Sequence, residues 1–301
     1  MTNAPREVLL VTHPGRPDAL ALAAEVINAL RAADIGVRMP AEEASAVDHE
    51  HVVVVDDDGS IDAAAGCELV VVLGGDGTIL RAAELAHGAQ VPVLGINLGH
   101  VGFLAEAERN DLATVVDSVV HRRWQVEERL TLDIRVMRAG EQTFETFALN
   151  EISIEKVSRE RMVDLIVEVD GRPLSRWGCD GVVCATPTGS TAYAFSAGGP
   201  VVWPDVEALL LVPISAHALF SRPLVVAPSG VLAVELPPSS EAILWADGRR
   251  SAELAPGSRI EVTRNERSVR LARLDRAPFT DRLVAKFRLP VNGWRGLESG
   301  E

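Results

Sequence analysis

Apolar and polar residues follow two different rhythms along this chain, and the rhythm changes near Trp124. Before it come short uninterrupted apolar runs, Val8–Val11, Val52–Val55, Leu69–Leu73 and Pro92–Asn97. Such runs, bounded by charge, proline or glycine, predict strands buried on both faces. Between them, apolar residues recur every three or four positions, which predicts helices. One runs from about Asp18 to Ala33 with Leu20, Ala24, Ile27 and Leu30 on one face; others cover Ile79–Ala86 and the stretch from Asp111 to Arg122. Strands alternating with helices predict a parallel sheet covered on both sides, with ligands at the carboxyl ends of its strands. Asp76 and Asn97 both fall at such ends.

After Trp124 the period shortens to two. Leu130, Leu132, Ile134 and Val136 alternate with polar residues, as in a half-buried strand. Val163–Val169, Asp170-Gly171 and Arg172–Trp177 read as a hairpin with a two-residue turn, and Asp247-Gly248 marks another. Val231–Leu236, Arg259–Thr263 and Val269–Leu274 add strands. A last segment, Asp281–Phe287, has a helical pattern with Thr280 as its expected cap. The expected organisation is an α/β domain over 1–125, a nearly all-β domain over 126–278 and a separate C-terminal segment, 279–301.

Composition changes this picture little. A chain of 301 residues, 47% hydrophobic and 24% charged, fits two globular domains. The net charge of −14 and the absence of any basic run argue against nucleic acid as a partner. Cys67, Cys179 and Cys184 form no Cys-x-x-Cys pair, so reduced, buried thiols are expected. The first residues carry no signal-peptide pattern and no apolar stretch is long enough to span a bilayer, so a cytoplasmic protein is expected. Asp56-Asp57-Asp58-Gly59 reads as a solvated loop, not a metal site.

The segment with most chemistry in it is Leu69–Leu73 followed by Gly74-Gly75-Asp76-Gly77-Thr78. Glycines at a strand-to-helix turn let a ligand approach bare backbone, and the free N–H groups of the following helix suit phosphate. Asp76 is the odd member, because a carboxylate repels phosphate unless it orients a metal ion or takes a proton from an attacking hydroxyl. That combination points to phosphoryl transfer. An ordinary βα turn capped by Asp76 is the alternative that these residues leave open.

Gly-Gly-Asp-Gly-Thr resembles a loop shared by NAD kinases, diacylglycerol and sphingosine lipid kinases and, more loosely, phosphofructokinases. A second segment, Gly178-Cys179-Asp180-Gly181 through Thr186-Pro187-Thr188-Gly189-Ser190-Thr191-Ala192-Tyr193 to Pro200, resembles the NAD kinase signature. Asn150-Glu151 lies between the two segments, as in that family. The resemblance runs from the first strand to Phe279-Thr280-Asp281. It implies a Rossmann-like, phosphofructokinase-like first domain, a β-rich second domain, and a chain end returning to the first.

The resemblance also implies a reaction, transfer of a phosphoryl group from ATP or inorganic polyphosphate to the adenosine 2′-hydroxyl of NAD, giving NADP, with a divalent ion (magnesium or manganese). It makes Asp76 the catalytic base or orienter, and assigns donor phosphates to Gly74, Gly75, Gly77, Thr78 and Arg81. NAD falls to Asp76, Gly77, Asn150, Glu151, Thr188, Thr191, Ala192, Tyr193 and Ser196, with Asp180 reaching the dinucleotide across a subunit boundary in a homodimer or homotetramer. Arg161 matches a contact position by length alone, and Gly178 stands where some members carry arginine. The loop alone also fits a lipid kinase, and the nucleotide features fit an inactive dinucleotide sensor. His13 and His100 neighbour the glycine-rich turns, and His100 has a plausible binding role; His49, His51, His87 and His121 read as loop or surface residues.

Overall fold

The computed structural model describes residues 5–47, 50–56, 63–98, 102–108, 112–274 and 278–291. His49, His100, Asp57-Asp58-Gly59 and Asp111 lie outside the described residues. The chain divides into two compact units, 1–128 with 269–301, and 129–268.

In the first unit, strands β1 (Arg6–Thr12), β2 (Ile35–Pro40), β3 (Val53–Val55), β4 (Leu69–Leu73), β5 (Val93–Asn97), β6 (Ala107–Glu108) and β7 (Gln125–Arg129) alternate with helices α1 (Pro17–Ala32), α2 (Ala41–Val47), α3 (Asp76–His87) and α4 (Leu112–Val120). The sheet order is β3-β2-β1-β4-β5, parallel throughout, with β6 also parallel to β5. Val8, Leu10, Val71, Leu94 and Ile96 pack with Leu22, Val26 and Leu30 of α1 and Val115 and Val119 of α4. Alternate residues face the other side, where α3 lies: a Cβ on Gly95 would stand 2.5 Å from Ile79 Cδ1.

The stripe that α1 buries is Ala19, Leu22, Ala23, Val26, Ile27 and Leu30. Leu20 and Ala24, expected on that face, are only partly buried at its margin. The strand β2 and helix α2 are not marked by the apolar pattern, because Ile35–Pro40 is short and broken by Gly36 and Arg38.

The second unit is a sandwich of two antiparallel six-stranded sheets. Its strands are β8 (Leu132–Arg138), β9 (Glu141–Ala148), β10 (Glu151–Lys156), β11 (Val163–Val169), β12 (Arg172–Cys179), β13 (Gly181–Ala185), β14 (Leu209–Ile214), β15 (Leu224–Val226), β16 (Leu232–Glu235), β17 (Ala242–Ala246), β18 (Arg250–Leu254) and β19 (Arg259–Arg264). One sheet runs β15-β14-β13-β10-β17-β18 and the other β12-β11-β16-β19-β8-β9. Ile134, Ile152, Ile154, Leu165, Trp177 and Leu244 fill the space between them. The outer face of the first sheet is partly covered by the short helix α5 (Tyr193–Ser196), whose Ala194 packs on Val183, Ala185, Leu210 and Val212.

Two elements near the chain end differ from expectation. Val269–Leu274 shares the alternating grammar of the β domain, but β20 (Val269–Arg273) joins the first unit's sheet beside β5, Leu271 opposite Val93. Helix α6 (Phe279–Phe287) begins before Thr280, with Pro278 at its head and no side-chain cap, so Thr280 is an inner residue and not the cap.

Candidate active site

In the first unit the chain reaches β3 at one edge and returns to β4 on the opposite side of β1, so the strand order reverses between β1 and β4. Open α/β sheets bind ligands at the carboxyl ends of strands at such a reversal. Here that place is occupied by Thr12 and by Gly74-Gly75-Asp76.

The glycines of this turn have different reasons to be glycine. A Cβ on Gly74 would stand 2.5 Å from Thr78 Oγ1, so internal packing demands glycine there. The Gly74 N–H is also used, donating to Ile96 O at 3.0 Å. Gly75 and Gly77 are different: nothing among the described residues lies within 4 Å of a Cβ built on either, and neither has a positive φ. The protein's own packing does not require them to be bare, whereas a close ligand would. Their amides head α3, where no earlier carbonyl is in register.

Asp76 does not cap its own helix; Gly75 occupies the N-cap position and no side-chain cap bond is made. Instead the carboxylate reaches the backbone after β5. The Phe103 N–H donates to Oδ2 and the Leu104 N–H to Oδ1, each at 3.1 Å. A Cβ on Gly102 would stand 2.3 Å from Oδ1, so only glycine leaves the carboxylate that place. A carboxylate offers about four lone-pair positions. One amide on each oxygen fixes its orientation and leaves acceptor capacity on both.

Arg81, expected over the donor phosphates, is paired with a carboxylate of α2. Its Nη1 and Nη2 donate to Oε1 and Oε2 of Glu43, a fully buried carboxylate on α2. A buried carboxylate is costly without a cation, and Arg81 is one turn along α3 facing it.

In the second unit, β10 carries Glu151, Ser153 and Glu155 at alternate positions on the sheet's outer face. They line a cavity of about 360 Å³ with Tyr193, Trp245 and Gly248. The Tyr193 N–H donates to Glu151 Oε2 at 3.3 Å and the residue lines the cavity together with the Glu155 carboxylate. Burial, reinforced by Glu155, pushes the phenol up.

Asn150 and Glu151 are buried and held by Asp247, whose place before Gly248 in the sequence marks only a turn. Asp247 Oδ2 accepts from the Leu149 N–H at 2.9 Å; Oδ1 accepts from Asn150 at 2.7 Å and Glu151 at 3.3 Å. Its φ of 52° with Gly248 at 64° makes the tight turn between β17 and β18 that aims the carboxylate inward. Burial, with the Asp247 carboxylate adding, pushes Glu151 from 4.5 to about 8.

The hydroxyls of Thr186, Ser190 and Thr191 bond backbone carbonyls of the segment and of its neighbours. Thr186 Oγ1 donates to Leu149 O at 2.6 Å, Ser190 Oγ to Pro187 O at 2.7 Å, and Thr191 Oγ1 to Thr188 O at 3.3 Å. Their first effect is to seat Gly189, whose Cβ would stand 2.0 Å from Asn150 O, against the β10 entry. Thr188, Ala192 and Tyr193 are thereby gathered beside Asn150 and Glu151, while Ser196 sits at the far end of α5.

Asp180 lies at the other end of β10, ion-paired to Lys156 at 2.5 Å, and that bond to Lys156 holds its carboxyl below the usual range. Exposed Arg161 belongs to a separate cavity of about 330 Å³ beside Lys156, Ser158 and Ser240. Among the described residues His13 Nδ1 accepts from the Gly15 N–H and His121 pairs with Asp117. His87, expected in a loop or at the surface, is instead buried as the last residue of α3, because it follows Ile79 and Ala83 at helical spacing on the face that α3 buries. All three cysteines are buried and free; burial pushes Cys67 to about 11 and Cys179 and Cys184 to about 12.

Comparison with known proteins fits both halves. Residues 8–124 match the model of the ATP-NAD kinase N-terminal domain and residues 149–274 that of the ATP-NAD kinase C-terminal domain. The chain is 59% identical to an NAD kinase of Thermobifida fusca, over 97% of this chain and 92% of that one. It is 52% identical to an NAD kinase of Mycobacterium tuberculosis, over 98% and 99%. Among solved structures it resembles the yeast NADH kinase complexed with NADH, with a TM-score of 0.83 and 26% identity over 100% of this chain and 90% of that one. It also resembles an NAD kinase from Archaeoglobus fulgidus in complex with ATP, with a TM-score of 0.69 and 27% identity over 94% and 98%. With both domain models matched in order and relatives this similar along nearly the whole chain, the protein belongs to the NAD kinase family of phosphotransferases.

Proposed function

We propose that this enzyme transfers a phosphoryl group from ATP or inorganic polyphosphate to the adenosine 2′-hydroxyl of NAD, in the cytoplasm. The first unit takes the donor phosphates at Gly75, Gly77 and Thr78, and the second takes the dinucleotide at Asn150, Glu151, Thr188, Ala192 and Tyr193. The observation that carries this reading is the head of α3. There two glycines bare for no internal reason flank a carboxylate fixed by two amides that keeps acceptor capacity. That pairs a phosphate cradle with a proton acceptor, as transfer to a hydroxyl requires.

Phosphoryl transfer has a loose transition state, so the nucleophile need not be deprotonated early. Asp76 orients the 2′-oxygen and accepts its proton late, as the new P–O bond forms and the bond to the leaving phosphate breaks. Among the described residues no three or more His, Cys, Asp or Glu side chains are grouped to hold a metal ion. These residues do not supply a metal cage, and no step here runs through the divalent ion.

Arg81 is proposed only as a support of α3, given its pairing with Glu43. Asp180 and Arg161 are proposed to meet NAD from a neighbouring copy in a homodimer or homotetramer. Exposed Met162, Leu219 and Phe220 support an interface there. The segment bearing Leu219 and Phe220 is bridged to β12 at Gly178–His217, and Met162 Sδ lies 3.8 Å from a Cβ on Gly178.

A donor-by-acceptor activity matrix tests the reading, with ATP or polyphosphate against NAD, NADH or diacylglycerol, each with magnesium or manganese. NADP formation is expected. Phosphatidate formation, or nucleotide binding without turnover under every metal, would overturn it.

A further inference from the structure

The carboxylate of Asp76 is fixed by a piece of backbone that is itself fixed by the chain end. Phe103 and Leu104 turn their N–H groups to Asp76. Their carbonyls face the opposite way, toward two arginines far along the sequence. Arg282 Nη1 donates to Phe103 O and Ala105 O, both at 3.0 Å, and Arg273 Nη1 donates to Leu104 O at 3.2 Å. The peptide joining Phe103 to Leu104 thus accepts from Arg282 at its oxygen and donates to Asp76 at its nitrogen. A cationic donor on a carbonyl polarises the amide and strengthens the bond its N–H makes.

The arginines are anchored in turn. Arg282 Nη2 donates to Glu106 Oε2 at 2.7 Å and Arg273 Nη1 to the same oxygen at 2.9 Å. The Leu274 N–H donates to Glu106 Oε1 at 3.2 Å, and Arg273 Nε to Glu127 Oε2 at 2.7 Å. The Glu106 side chain is 2% exposed and that of Arg282 13%. Two arginines and two glutamates give a network with no net charge. Helix α6 is amphipathic for this contact: Phe279, Arg282 and Phe287 fall on one face, and both phenylalanine rings lie 5.9 Å from the Phe103 ring. Phe103 is gripped by its ring, its carbonyl and its N–H.

We infer that Arg282 is a positioning residue for the phosphoryl-transfer reaction, acting on Asp76 through the Phe103–Leu104 peptide. The inference rests on the reading of Asp76 as proton acceptor. Its fork explains why arginine stands here: one nitrogen spans two carbonyls while the other holds a carboxylate, which a lysine ammonium cannot reproduce. Small displacements of a catalytic group are expensive even when their cause lies far from the chemistry.

The test is a double-mutant cycle in the full-length protein, with Arg282→Lys and Arg282→Gln each made in the wild type and in Asp76→Asn. Lysine keeps the charge beside Glu106 and loses the fork. In the Asp76-containing enzyme both substitutions should lower kcat by about 10- to 100-fold, with the KM for NAD within about threefold. In Asp76→Asn the same changes should alter the residual kcat by less than about threefold, because the group they position is gone. Amide hydrogen exchange at Phe103 and Leu104 should quicken in Arg282→Lys. Should Arg282→Gln not fold, Phe287→Leu loosens the aromatic grip with the ion network intact and is expected to show the same non-additivity. Equal losses in both backgrounds, or a folded Arg282→Lys with normal kcat, would overturn the inference. Near-normal kcat in the single Asp76→Asn variant would instead overturn the proposed role of Asp76, and the two failures are separable.

Discussion

Asp76 accepts from two backbone amides and, among the described residues, pairs with no cation, and this decides what its amide isostere should do. Asp76→Asn keeps one acceptor oxygen, turns its NH2 toward one of the two backbone amides, and removes the proton acceptor. Loss of a general base costs about 10²–10⁴ in kcat, with NAD affinity little changed. A folded variant within about tenfold of wild type would leave Asp76 as a structural clamp for Phe103 and Leu104. Tyr193 lies over the Glu151–Glu155 face, 37% exposed, and makes no contact that requires a reacting atom. Tyr193→Ala should raise the KM for NAD with kcat near normal, since base stacking worth roughly 1–3 kcal/mol acts equally in ground and transition states. Steady-state kinetics separates this from a role in the chemistry, which would lower kcat at constant KM.

Glu151 gives a prediction in pH. Its folded carboxyl is raised to about 8, so between 4.5 and 8 the folded chain keeps a proton that the unfolded chain has released. Stability from this group is fully present below 4.5, falls as pH rises through that window and levels off above it. Glu151→Gln mimics the protonated form at every pH. The melting temperature of the variant should therefore gain on wild type steadily from pH 4.5 to 8, and parallel melting curves would contradict it.

At the scale of elements, two turns show why glycine is present for opposite reasons. Gly77 lies in the first turn of α3 with open space above it. Gly77→Ala should raise the melting temperature, through up to about 1 kcal/mol of helix propensity, while lowering kcat/KM by intruding on the phosphate cradle. Gly189 is seated on the Asn150 carbonyl, where an added Cβ has no room. Gly189→Ala should cost about 3 kcal/mol or more, as overpacking does when backbone must move, and thermal unfolding would read it. The α3 turn was legible in the sequence, since an apolar run ending in glycine and acid has few other readings. The 186–191 segment was legible as important but not in kind: its hydroxyls look like ligand donors, and Ser190 and Thr191 also bond the segment itself while Thr186 bonds the Leu149 carbonyl.

For the whole molecule, a net charge of −14 opposes anionic substrates at long range, so local donors must do the recognition. The proposed oligomer belongs at this scale. Exposed apolar side chains at Met162, Leu219 and Phe220 adjoin the strand that leads to Asp180. Sedimentation of the active species should show a dimer or tetramer, and Leu219→Asp with Phe220→Asp should shift it toward monomer with a loss of activity. A fully active monomer would remove the neighbour's contribution.

The sequence by itself determined the alternation of strands and helices before Trp124, the period-two strands after it, and the reaction class, because each is written in residues adjacent along the chain. Period and turn chemistry are local, and the motifs that mark the family are contiguous. The tertiary structure decided the rest. Val269–Arg273 has the same alternation whichever sheet it joins, so only pairing with β5 could place it in the first unit. Arg81 stands one turn beyond a phosphate loop in the sequence, and its pairing with Glu43 exists only once α2 lies against α3. Asp247 reads as a turn residue, and its hold on Asn150 and Glu151 exists only once β17 lies beside β10. Arg282 stands 206 positions after Asp76 in the sequence, and no local pattern links them. The link is a single peptide between Phe103 and Leu104, bonded on one side to the guanidinium and on the other to the carboxylate.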